Sequence, residues 1–113
     1  MAKSIHAEIT GQPVDRERDL HDAIEADLKN RRFYYVHSRM DKASTQKAGV
    51  TDFIIAAPDG VTIWIEAKKK GNKLSKEQSI TRHILLGLNH HYATVYNFEE
   101  YTETIKRALG LNQ

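Results

Sequence analysis

The chain has no cysteine. Disulfide cross-links and thiolate-bound zinc are thereby excluded, and the absence fits a reducing compartment. It also lacks any run of about 18 apolar residues, so no segment reads as a membrane-spanning helix. The opening stretch Met1-Ala2-Lys3-Ser4-Ile5-His6 has none of the apolar character of a secretory signal, and a cytoplasmic location is expected. Proline is scarce, with only Pro13 and Pro58, and no internal repeat or low-complexity tract interrupts the pattern. What is present is 113 residues, 40% apolar and 28% charged, which suits one domain with one core. The net charge of +2 is too mild to name a nucleic-acid partner by itself.

The distribution of charge says more than its sum. Lys29, Arg31, Arg32, Arg39, Lys42 and Lys47 form one basic stretch, and Lys68, Lys69, Lys70, Lys73 and Lys76 form another. Between them lie Asp52 and Glu66. A basic rim around an acidic centre suits a phosphodiester, with the rim holding the backbone and the centre holding a cation. Two solvated lysine-rich loops would be the blander explanation.

Residues 1–13 show no periodicity and read as an N-terminal arm, leaving 14–113 as the domain. From Asp15 to about Asn30, Leu20, Ile24 and Leu28 recur every fourth residue and predict a helix. Glu17 projects near the middle of that stripe, on the core-facing side, where a carboxylate is costly without a cationic partner, whereas Glu25 sits on the shoulder and reads as solvated. Phe33-Tyr34-Tyr35-Val36-His37 is β-prone, with one of the two tyrosines expected in the core. Asp41 to Ala48 reads as loop. Two apolar runs joined by Pro58-Asp59-Gly60 predict a β-hairpin, with Asp52 on its first strand and Glu66 and Lys68 on one face of its second. Trp64 shares that face as packing. Ser75 and Gln78 form a capping box for a helix to about Leu88, with Ile80, Ile84, Leu85 and Leu88 as its expected inner face. A strand from His91 to Tyr96 follows. A last helix is capped by Asn97, carries Tyr101, Ile105, Ala108 and Leu109 on one face, and stops at Gly110. The order α-β-β-β-α-β-α predicts an α/β fold with a mixed sheet flanked by helices. The adjacent His90 and His91 point to opposite sides of a strand and read as structural.

Gly49-Val50-Thr51-Asp52-Phe53, Ile65-Glu66-Ala67-Lys68 and Leu74-Ser75-Lys76-Glu77-Gln78 together resemble the PD-(D/E)XK nuclease superfamily. More narrowly, they resemble its small, stand-alone, phage-type VRR-NUC domains. The resemblance spans about Glu17 to Leu109; it departs at Thr51, where the family usually has proline. It implies an αβββαβ core and a DNA endonuclease dependent on Mg²⁺ or Mn²⁺. Flaps or four-way junctions are the implied substrates, in a DNA-repair or phage setting.

By that resemblance Asp52, Glu66 and the backbone carbonyl of Ala67 are expected metal ligands, with Glu17 joining from the first helix directly or through water. Lys68 is expected beside the attacking water in an electrostatic role, and Gln78 near the water or phosphate. His37, Arg39, Lys42, Lys47, Lys69, Lys70, Lys73 and Lys76 are the expected nucleic-acid contacts. Simpler roles stand beside these: Glu66 and Lys68 as an edge ion pair, Glu17 as a partner of Arg39, and Gln78 as a helix cap alone. The expected partner is DNA, branched or duplex, with a homodimer supplying two active sites, and no small-molecule cofactor or membrane is expected. A non-catalytic binding module on a nuclease fold and an RNA-cleaving nuclease are the alternatives.

Overall fold

The structure is a computed structural model and describes residues 17–38 and 48–111. The N-terminal arm, the start of the first helix and most of the Asp41–Ala48 loop lie outside the described residues, as do Arg39, Lys42 and Lys47. Helix α1 (Glu17–Arg31) leads into strand β1 (Tyr34–His37), then β2 (Phe53–Ala57), a short 3-10 turn (Pro58–Gly60) and β3 (Val61–Ala67). Helix α2 (Lys76–Gly87), strand β4 (His91–Val95) and helix α3 (Phe98–Ala108) complete the order. The sheet order is β1-β2-β3-β4, the first two pairings antiparallel and β3·β4 parallel. Parallel neighbours cannot be joined by a tight turn, and α2 is the crossover between them.

One face of the sheet carries the core. Phe53, Ile55, Ile63, Ile65, Ala67 and Val95 meet Leu20, Ile24 and Leu28 of α1 and Tyr101 and Ile105 of α3. The period-four stripe of α1 and the period-two alternation of the strands are therefore two sides of one layer. Tyr101 donates to Oδ2 of Asp27 at 2.6 Å and Arg31 to the same oxygen at 2.7 Å, tying α3 to α1 beside the core. The helix ends are similar: Arg32, Asn89 and Gly110 adopt positive φ, and the amide after each reaches back to the carbonyl five residues earlier. That is the Schellman arrangement, which satisfies carbonyls the helix itself leaves without partners.

Helix α2 lies on the other face and departs from expectation. Only Leu85 is buried, while Ile80, Ile84 and Leu88 are exposed at 50, 51 and 65%. The helix meets the sheet mainly along β4, so one edge rather than its whole apolar stripe is covered. The row Val36–Ile54–Trp64–Tyr92 crosses all four strands on this same face, and Val36 and Tyr34 at its β1 end are exposed. Both caps foreseen for α2 and α3 are present: Ser75 and Gln78 bond reciprocally, and Asn97 accepts from the Glu100 amide.

Candidate functional site

The antiparallel register pairs Phe53 with Ile65; one step further, just beyond the end of β2, Asp52 faces Glu66. Its Oδ2 accepts from the Ala67 amide at 2.8 Å, which fixes the carboxylate at the end of the sheet. Glu66 is 2% exposed, and its carboxyl group lies against that of Asp52. From α2, Gln78 Nε2 donates to Glu66 Oε2 at 3.0 Å, while Gln78 Oε1 accepts from the Ser75 amide at 2.8 Å. One glutamine thus closes the cap and holds the buried carboxyl. These bonds use one of the two Nε2 protons and one lone pair of Oε1.

Helix α1 reaches the same end of the sheet. Glu17 Oε1 accepts from the Lys69 amide at 3.3 Å, joining the helix to the chain leaving β3. One turn on, His21 enters a position that the sequence reading passed over. Its Nε2 lies 3.4 Å from Asp52 Oδ2, 3.8 Å from Glu17 Oε2 and 3.5 Å from the Ala67 carbonyl oxygen. Ligand atoms of Glu17, His21 and Asp52 all fall within 4.8 Å of one another. The signal was available: Glu17, His21 and Glu25 recur every fourth residue and so share a helix face.

His37 sits behind His21, its Nε2 3.0 Å from His21 Nδ1 and its ring stacked flat on Phe53. Expected at the nucleic-acid surface, it is turned inward because the stacking partner lies on the core side of the sheet. Glu25 is likewise engaged rather than solvated, accepting from the Tyr35 hydroxyl at 2.8 Å. Lys68 leaves β3 half-buried, with its amide bonded to the Val95 carbonyl. Lys69, Lys70, Lys73 and Lys76 are exposed around the β3–α2 connection. Thr51, at the position where proline is usual, is buried and donates its hydroxyl to the Phe53 carbonyl at 3.1 Å.

The electrostatics are those of a site short of positive charge. Burial, then the neighbouring Asp52 carboxylate, push Glu66 up to about 9, against the pull of Lys68. Burial also pushes Asp52 upward, but its contacts with His21 and the Ala67 amide outweigh this and hold it below the usual carboxylate range. Burial disfavours charge on His21, yet Asp52 overrides it and the imidazole is raised. The cluster therefore retains protons, which is the expected response of crowded acceptors. Carboxylate and carbonyl oxygens with one imidazole nitrogen are a donor set suited to a divalent ion, so the residues fit a metal.

Among solved structures, the chain matches one described as a VRR_NUC domain, with a TM-score of 0.66 and 15% identity over 80% of this chain and 95% of that one. The four-stranded mixed sheet with its flanking helices is thus the VRR-NUC nuclease fold, as the three sequence motifs implied. No family model and no curated protein matches the sequence.

Proposed function

We propose that this protein is a metal-dependent DNA endonuclease that hydrolyses phosphodiester bonds, selective for branched DNA such as flaps or four-way junctions. The observation that supports the reading best is the meeting of Asp52 and Glu66 at the end of the sheet, with Glu17 brought in from α1. Glu17, Asp52, Glu66 and the Ala67 carbonyl would hold Mg²⁺ or Mn²⁺. Such an ion supplies Lewis acidity toward a phosphate oxygen and makes a bound water more acidic.

The chain's own groups do the rest. Gln78 orients the Glu66 carboxyl by the bond it donates. Lys68 places its ammonium by the carboxylates, where it offsets charge building on the phosphate. Lys69, Lys70, Lys73 and Lys76 present a charged surface to the DNA backbone next to that centre, and Arg39, Lys42 and Lys47, outside the described residues, are the other proposed DNA contacts. A homodimer would supply the two cuts a four-way junction requires, and the exposed Ile80, Ile84 and Leu88 offer an apolar surface for it. Retention of every acidic and basic position argues against a purely binding role.

The test is cleavage of linear, flap, four-way-junction, single-stranded DNA and RNA substrates with Mg²⁺ or Mn²⁺. Cutting of branched DNA is expected, with Asp52→Asn abolishing it and Lys68→Ala lowering it roughly 10²–10³-fold while DNA binding persists. Undiminished cleavage by Asp52→Asn would overturn the proposal. Preference for the RNA substrate would favour an RNA-cleaving nuclease instead.

A further inference from the structure

We propose that the imidazole of His21 is itself a ligand of the bound ion, through Nε2, and that it tilts the site toward first-row transition ions over magnesium. The inference rests on the reading of this cluster as a metal centre and deepens it. Around Nε2 stand Asp52 Oδ2 at 3.4 Å, the Ala67 carbonyl oxygen at 3.5 Å and Glu17 Oε2 at 3.8 Å. All three are acceptors. An octahedral ion with bonds of about 2.1 Å keeps adjacent ligands about 3.0 Å apart and opposite ones about 4.2 Å apart. The three spacings from Nε2 fall between those limits, and the ligand atoms of Glu17, His21 and Asp52 lie within 4.8 Å of one another, which is compatible with Nε2 sharing one ion with its neighbours after side-chain movement.

The groups behind His21 set its tautomer. The Tyr35 hydroxyl holds Glu25 at 2.8 Å, and the other oxygen of Glu25 faces His37 Nδ1 at 3.7 Å. A carboxylate on that side favours the proton on His37 Nδ1 and leaves Nε2 as an acceptor. His37 Nε2 lies 3.0 Å from His21 Nδ1, so His21 can donate there, and the Nε2 proton that the surrounding acceptors favour in the metal-free site would give way to the ion. The stacked Phe53 ring, 4.2 Å from that of His37, prevents the chain of groups from rotating away. A ligating histidine whose far nitrogen is pinned by a hydrogen bond is the usual way proteins orient such a ligand, and here that bond is to His37, with the Glu25 carboxylate 3.7 Å beyond. Nitrogen also changes the preference: imidazole binds transition ions well, whereas magnesium favours an all-oxygen shell.

Mn²⁺ titrated into the purified full chain, followed by electron paramagnetic resonance, reads the ligand directly. Wild type is expected to bind Mn²⁺ and to show a ¹⁴N coupling from a directly bound imidazole. Incorporation of ¹⁵N-histidine must change that coupling, a control that requires no substitution. His21→Asn should abolish the coupling and lower the Mn²⁺ to Mg²⁺ affinity ratio roughly tenfold, with circular dichroism confirming the fold. Glu25→Gln should weaken Mn²⁺ binding about tenfold while the coupling remains. Bound Mn²⁺ with no nitrogen coupling in wild type would overturn the role of His21 and leave the metal centre standing. No Mn²⁺ uptake at all would instead remove the metal-dependent nuclease reading on which it rests.

Discussion

Replacing Glu66 with glutamine separates what the site needs for function from what the fold prefers without metal. With its carboxyl group pushed up to about 9, Glu66 in the metal-free protein holds a proton that the unfolded chain, at about 4.5, gives up. A folded value raised above the unfolded one makes stability greatest below about pH 4.5 and erodes it as pH rises toward 9. At pH 7.5, about three pH units above the unfolded value, the ceiling on this cost is about 4 kcal/mol. The effective dielectric of protein sites is high enough to reduce the figure to about 2 kcal/mol. Glutamine reproduces the protonated carboxyl: its amide nitrogen can donate to Asp52, and its oxygen can accept from Gln78. Glu66→Gln should therefore raise the melting temperature of the chelator-treated protein by roughly 8 °C at pH 7.5 and by no more than about 2 °C at pH 5. The same substitution should sharply weaken Mn²⁺ binding. Thermal unfolding by circular dichroism in EDTA at the two pH values is the assay. A stability difference that is absent, or that does not grow with pH, would refute the reasoning.

Gly49→Ala should lower stability by about 2 kcal/mol, because Gly49 has φ +86° and a Cβ there would stand 2.6 Å from the Glu77 carbonyl oxygen and 2.8 Å from Thr81 Oγ1. That carbonyl belongs to the backbone of α2 and cannot swing aside, so an unchanged melting temperature would show that the loop before Asp52 is not pressed on the helix. Tyr101→Phe should cost about 1 kcal/mol in urea unfolding, since Asp27 loses the hydroxyl but keeps Arg31. DNA cleavage should be untouched by that change, and a fall in activity would mean that α3 communicates with the site.

The order of elements was legible because each carries its own period: four in α1, two in the strands, and explicit caps at Ser75 and Asn97. The meeting of Asp52 and Glu66 was legible for a related reason. A tight turn centred on Asp59 dictates which residues face each other, and 52 and 66 lie equally far from it. His21 was legible only in part: its spacing from Glu17 puts both on one helix face, but no spacing within α1 states that this face meets the end of β3. The exposed stripe of α2 failed for the converse reason. Ile80, Ile84 and Leu88 repeat as a buried face would, but periodicity reports that a helix has an apolar side without saying what covers it. The division of labour between the two carboxylates lies furthest from the sequence. Asp52 and Glu66 begin with nearly equal affinity for protons; Glu66 is the less exposed to solvent, while Asp52 has an imidazole and a backbone amide beside it. Those neighbours come from α1 and β3, so the difference between the two carboxylates is created only when the helix packs onto the sheet.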